Sequence, residues 1–151
     1  LGALDAWLVI RGIKTLPLRM EQHQKNALAI ATWLQNQPRV QYVLYPGLEN
    51  HPGYEINKAQ TTGFGGMISF AVDSAETARQ ILEGVKLIKF ADSLGGTESL
   101  ITYPIRQTHT DLTAEECAEK GITDCLLRFS TGIEATQDLI DDLAQAFAAI
   151  E

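Results

Sequence analysis

Gly63-Phe64-Gly65-Gly66-Met67-Ile68-Ser69-Phe70-Ala71-Val72-Asp73 is the stretch on which the fold turns. Glycines punctuate its start, and Met67 to Val72 then runs as the clearest β-strand in the chain. Asp73 with Glu76 makes a variant of a capping box, which predicts a helix through Leu82 closed by Gly84. A strand passing at once into a helix indicates an α/β chain, and the flanking sequence agrees. On the amino-terminal side, Val40 to Tyr45 is short and β-prone, ended by Pro46-Gly47. Before it lie a mostly apolar helical stretch from Ala3 to Ile10, ending near Gly12, and a longer helix from about Thr15 to Asn36. Pro17 suits the first turn of that helix and Pro38 closes it; Met20, Ala27, Ala31 and Leu34 form one stripe. On the carboxy-terminal side, Val85 to Ala91, Ser99 to Tyr103 and Leu126 to Thr131 are strand candidates. Thr113 with Glu116 has true capping-box spacing for a helix that stops at Lys120-Gly121. Ile140, Leu143, Phe147 and Ile150 mark the apolar face of a terminal helix.

These elements predict a two-layer α/β sandwich: a small, largely antiparallel or mixed sheet with helices on one face. With 151 residues and 45% hydrophobic content the chain builds one core, so residues 1–151 are read as a single domain. The balance of 12 Lys+Arg against 19 Asp+Glu gives a net charge of −7 and no basic face, which argues against nucleic-acid or anionic-membrane partners. Cys117 and Cys125 lack the paired spacing of a zinc site and are too few for a disulfide framework, so a reduced, cytoplasmic protein is expected. No apolar run reaches transmembrane length and no signal peptide is read. The chain opens without Met on Leu1-Gly2-Ala3-Leu4 and reads as part of something longer, its first helices leading in from a neighbouring domain.

Three features bear on chemistry. Asp92-Ser93-Leu94-Gly95-Gly96-Thr97-Glu98-Ser99 lies between two strand candidates. Its glycines allow close backbone approach to a ligand, or make an ordinary turn. Arg128 sits in Leu126-Leu127-Arg128-Phe129-Ser130, where period-2 alternation puts it on the face of Leu126 and Ser130. An Arg in a short apolar strand needs an anion. That anion is a ligand carboxylate or phosphate, or an acidic side chain in a structural ion pair, unless the strand face is simply exposed. His23, His51 and His109 share no metal-ligand spacing. His23 is expected on the surface of the long helix, and His109, after Thr108, as a local hydrogen-bonding residue. Cys117 is placed on a helix, Cys125 near a strand start, and Glu115, Glu116 and Glu119 on a solvated helix face.

Asp5-Ala6-Trp7-Leu8 followed by Arg11-Gly12-Ile13-Lys14-Thr15-Leu16 resembles a segment of the Cys/Met-metabolism (trans-sulfuration) family of pyridoxal-phosphate enzymes. The resemblance continues through Tyr45-Pro46-Gly47-Leu48, Gly63-Phe64-Gly65-Gly66-Met67, Ser93-Leu94-Gly95-Gly96, Thr108-His109, Leu127-Arg128 and Gly132-Ile133-Glu134, in order along the whole chain. It implies the small carboxy-terminal domain of a fold-type-I (aspartate aminotransferase-like) enzyme of the cystathionine γ-synthase or cystathionine β-lyase type. Cystathionine γ-lyase, methionine γ-lyase and O-acylhomoserine sulfhydrylase are further members. By the same resemblance Arg128 clasps the substrate α-carboxylate, Ser93 lies beside it with Leu94 adjacent, and Thr108 lies near the substrate. Asp92 stands where the cystathionine enzymes commonly carry a Glu linked to reaction choice. A sulfur-containing or O-acylated amino-acid substrate is implied, with pyridoxal 5'-phosphate as cofactor and a homo-oligomer, a homotetramer, as the assembly.

The family's Schiff-base lysine has a Ser-x-x-Lys-type context, and no serine here has Lys three residues later. The catalytic lysine and the cofactor's phosphate cradle are therefore expected from the larger domain, and the isolated chain is expected to be inactive. A freestanding α/β module that senses an amino acid through Arg128 and the Ser93 loop is the competing reading. The purified chain, mixed with pyridoxal phosphate and desalted, is expected to keep no stoichiometric visible absorption band; a retained band that responds to amino acids would contradict this.

Overall fold

The computed structural model describes residues 1–150. Two helices open the chain, α1 (Ala3–Ile13) and α2 (Leu16–Gln35), followed by β1 (Val40–Leu44), α3 (Tyr54–Gln60), β2 (Met67–Val72) and α4 (Ala75–Gly84). Then come β3 (Lys89–Phe90), β4 (Leu100–Thr102), a short 3-10 turn at Pro104–Arg106, α5 (Ala114–Glu119), β5 (Leu126–Ser130) and α6 (Thr136–Ala148). The five strands form one mixed sheet in the order β1-β2-β5-β4-β3, antiparallel except between β3 and β4.

Strand β5 lies at the centre, and its alternation divides the molecule. Leu127 and Phe129 stand opposite Phe70 and Ile68 of β2, and all four are buried in the same core as Ala27, Ile30 and Leu34 of α2, Ile81 of α4 and Leu143 of α6. Each Leu, Ile or Phe among them contributes about 1.5–3 kcal/mol by leaving water. Arg128 therefore points to the opposite side of the sheet, between Ser69 of β2 and Thr102 of β4.

Several local expectations shift. The helix after β2 is capped by Ser74, whose hydroxyl accepts from the Thr77 N–H, and not by Asp73; it runs through Gly84. Thr113 and Glu116 do make the reciprocal capping box of α5. Met20 is exposed, so the buried stripe of α2 starts at His23. His23 itself, expected on the surface, is buried. Its Nδ1 bonds the Thr131 carbonyl and its own carbonyl accepts from the Thr131 hydroxyl at 3.0 Å. Beside it the buried Asn26 amide donates to the carbonyls of Gly132 at 2.9 Å and Glu134 at 3.0 Å, so α2 is latched to the chain leaving β5. The strand expected over Val85 to Ala91 shrinks to Lys89–Phe90. The amides of Lys86, Leu87 and Ile88 point instead at the buried Asp142 carboxylate on α6, at 2.8, 3.0 and 2.9 Å. Helix α3 is an addition, its Tyr54 stacked on Phe64 with ring centroids 5.4 Å apart.

Helix α1 buries none of its residues: Leu4, Trp7, Leu8, Val9, Ile10 and Ile13 are all exposed. Among the described residues no helix is long and apolar enough to cross a membrane.

Two measurements probe this packing. Asp142→Ala leaves three amides without their carboxylate and is expected to cost about 3–5 kcal/mol in urea unfolding, against less than about 0.5 for Asp141→Ala on the exposed side of α6. Burial pushes the Tyr45 phenol, which donates to the Gly65 carbonyl at 3.0 Å, up to about 12. A phenol raised on folding contributes its stability below pH 10, its unfolded value, and loses it as pH climbs through about 12. The wild-type protein is thus expected to lose about 2–3 kcal/mol relative to Tyr45→Phe across that interval. Parallel curves would refute it.

Candidate functional site

The turn between β3 and β4 folds over the Arg128 side of the sheet and is fastened along its length. At its start the buried Thr102 hydroxyl donates to the Ala91 carbonyl at 2.7 Å. Arg128 Nη2 then donates to the carbonyls of Asp92 at 3.0 Å and Ser93 at 3.4 Å, and to the Thr102 hydroxyl at 3.2 Å. Further on, the Gly95 N–H donates to the Ser130 hydroxyl at 2.9 Å, and the Ile133 N–H to the Thr97 carbonyl at 2.9 Å. Gly95 has φ 75°, a left-handed turn that favours glycine. Gly132 packs against the turn's far end, where a side chain would collide with the Thr97 carbonyl and the backbone of Glu98. Glu134 completes the closure by accepting from the Ser99 amide at 2.6 Å and its hydroxyl at 2.8 Å.

Arg128 is half-buried, yet among the described residues no carboxylate lies within 4.0 Å of its guanidinium. The structural ion pair left open by the sequence is therefore not what holds it. Nη2 is committed to the turn. Nε is the one buried side-chain nitrogen or oxygen among the described residues with no hydrogen bond. Nη1 also has no hydrogen-bond partner among the described residues and is not among the buried unpaired atoms, so it keeps some access to solvent. A bare cation so oriented is suited to an incoming anion, which it can meet end-on with Nη1 and the edge of Nη2.

The other candidate residues divide around this centre. Ser93 and Leu94 are exposed on the turn, and no side-chain bond ties up the Ser93 hydroxyl. Asp92 approaches Arg128 through its carbonyl and not its carboxylate. Thr108 lies elsewhere, half-buried after the 3-10 turn, with its hydroxyl 2.8 Å from His109 Nδ1; no hydrogen bond joins it to the Arg128 cluster. His51 accepts from the Gly53 amide at 3.0 Å. Cys117 is buried on α5, and burial, with Asp124 adding, pushes the Cys125 thiol up, away from thiolate chemistry. The described residues include no cluster of three metal-ligating side chains. A cavity of about 420 Å³ lies between α2 and the 62–65 turn, lined by Met20, Glu21, Gln24 and Gly65 among others, and shares no residue with the Arg128 cluster.

A family model, Cys/Met metabolism PLP-dependent enzyme, matches residues 1–148. The chain belongs to that family. Cystathionine gamma-lyase of Bacillus subtilis (strain 168) is 51% identical over 150 residues, 99% of this chain and 40% of that protein. Cystathionine gamma-synthase of Haemophilus influenzae is 50% identical over 151 residues, 100% of this chain and 37% of that protein. Among solved structures, cystathionine gamma-lyase from Lactobacillus plantarum complexed with L-serine superposes with a TM-score of 0.94 at 41% identity. The match covers 99% of this chain and 39% of that one. This Cys/Met-metabolism chain thus has the fold of PLP-dependent fold-type-I enzymes and spans about two fifths of the length of the curated relatives it matches.

The Arg128 guanidinium is chemically suited to an anion, and the cluster around it offers no lysine for a Schiff base with pyridoxal phosphate. None of the chain's six lysines makes a hydrogen bond to the cluster. Lys89, on the edge strand beside β4, turns its ammonium to the Lys86 carbonyl at 3.2 Å. No lysine side chain among the described residues therefore stands in hydrogen-bond contact with the Arg128 cluster.

Proposed function

We propose that this chain is the carboxy-terminal domain of a PLP-dependent trans-sulfuration enzyme of the cystathionine γ-synthase or β-lyase type, and that Arg128 holds the substrate α-carboxylate. One observation carries the reading: a half-buried guanidinium fixed on one side by the turn, without an acidic partner, and open through Nη1. A γ-lyase stands as the second reading, because a curated γ-lyase matches at 51% identity beside the γ-synthase at 50%.

When bound, pyridoxal phosphate supplies the electron sink for the chemistry at Cα. The residues of this chain bind and orient. Arg128 fixes one end of the amino acid, and the unengaged Ser93 hydroxyl on the same turn offers a second donor to the carboxylate. Leu94, 55% exposed, offers an apolar surface beside them to the substrate's side chain. With the carboxylate anchored, the substrate's remaining freedom is rotation about Cα, and holding that rotation is what selects the bond to be broken. The partly apolar, exposed α1 is proposed to pack against the larger domain, where the catalytic lysine and phosphate cradle belong. A homo-oligomer and a cytoplasmic location complete the reading.

Arg128→Lys in the full-length enzyme keeps the charge and loses the planar fork. With a charge-assisted bond contributing about 1.5–3 kcal/mol, kcat/KM for an α-amino-acid substrate is expected to fall roughly ten- to a hundredfold. Cofactor absorbance should stay normal, and the preference for glycine over methylamine in a spectroscopic titration should shrink. An unchanged preference would refute the carboxylate assignment. Assaying cystathionine for β- and γ-elimination, and an O-acylhomoserine with cysteine for γ-replacement, separates the activity types.

A further inference from the structure

We propose that Thr102 is the positioning residue of the carboxylate site, setting the direction of the Arg128 guanidinium and the seat of the Ser93 turn through a single hydroxyl. The inference rests on the carboxylate reading of Arg128 and goes beyond it to the group that makes Arg128 a clamp.

Thr102 is the last residue of β4, paired across the sheet with Arg128 of β5, and is 1% exposed. A hydroxyl has one proton to give. Thr102 gives it to the Ala91 carbonyl at 2.7 Å, so its lone pairs are left for Arg128 Nη2 at 3.2 Å. The bond order is therefore one-directional: guanidinium to hydroxyl to turn. The two ends of that relay are also joined another way, since Nη2 donates to the next two carbonyls of the same turn, Asp92 and Ser93. The Ala91 amide is fixed independently by the Ile101 carbonyl at 3.0 Å, so its position on β4 does not need the hydroxyl. What the hydroxyl adds is closure of the ring Thr102–Ala91–Asp92–Arg128. Within that ring rotation of the guanidinium about its stem would break Nη2's bonds together, and Nη1 is held outward. Loss of the hydroxyl leaves Nη2 bonded only to a turn whose own first carbonyl has lost its partner. The fork then swings, and carboxylates lose more than ligands that never use it.

Serine retains the relay, while valine retains the shape and β-branching and removes the hydroxyl. The test compares Thr102→Val, Thr102→Ser and Arg128→Lys in the holoenzyme that contains this chain, titrating glycine and its carboxylate-free counterpart methylamine against the cofactor band. Thr102→Val is expected to weaken glycine five- to thirtyfold and leave methylamine within twofold. KM for the substrate should rise in proportion and kcat change less than threefold. Thr102→Ser should bind glycine within twofold of wild type. If Thr102→Val does not accumulate folded, Thr102→Ala is read the same way. Equal weakening of glycine and methylamine, or a serine variant no better than valine, would overturn the positioning role. If Arg128→Lys loses the glycine preference while Thr102→Val keeps it, the clamp stands and this inference falls. If Arg128→Lys also keeps it, the carboxylate reading itself falls.

Discussion

A guanidinium held half out of water without a carboxylate is an expensive arrangement, and much of this sheet is organised around maintaining it. Arg128 reaches that position because Leu127 and Phe129 are drawn to the helical side of the central strand, which forces the residue between them to the other side. Once there it is satisfied on one nitrogen only, by carbonyls and a hydroxyl that carry no net charge. Neutral acceptors hold a cation's geometry without cancelling its field. An acidic side chain in their place would have held it more tightly and left little to offer a ligand.

The supports of that arrangement lie far apart in sequence. The latch of His23 and Asn26 onto residues 131–134 fixes where the chain goes after β5, and Glu134 then closes back on Ser99 beside the turn. Helix α2, although on the other side of the sheet, thereby helps to set the far end of the turn. Asp142 makes a comparable tie between α6 and the segment that enters β3. Buried polar groups that are fully bonded act as registration marks in this way, and here they link both layers.

Legibility in the sequence followed how local the deciding contacts are. Met67–Val72 was readable because a glycine-flanked apolar run needs no distant partner to be a strand, and Thr113 with Glu116 was readable because a capping box closes within four residues. Val85 to Ile88 looks like strand on the same grounds, but the amides of Lys86, Leu87 and Ile88 are taken by Asp142, more than fifty positions away, and nothing local announces that. His23 was misplaced for the same reason: its partner Thr131 is 108 positions on. In the site, alternation and glycines pointed to Arg128 and the Ser93 turn. Ser130 lies on the expected face, but nothing in the sequence marks its hydroxyl as the acceptor of the Gly95 N–H. Thr102 gave no signal at all, since an ordinary Thr in an ordinary strand acquires its meaning only from the residue paired with it. The family resemblance supplied Thr108, which the geometry does not join to the cluster.

The placement of β5 at the middle of the sheet has a temporal side. Ser69 and Arg128 face one another across 59 positions of chain, and β4 meets the same strand from the other side. Strands β1 and β2 can pair with each other early, as can β3 and β4, but each pair presents a raw hydrogen-bonding edge until residues 126–130 have been made and delivered between them. Closing the sheet is thus a late, non-local event, of the kind that slows folding and exposes partly built sheets to one another. The strand that carries Arg128 is also the keystone, so a chain arrested before β5 has neither the Arg128 cluster nor a finished sheet.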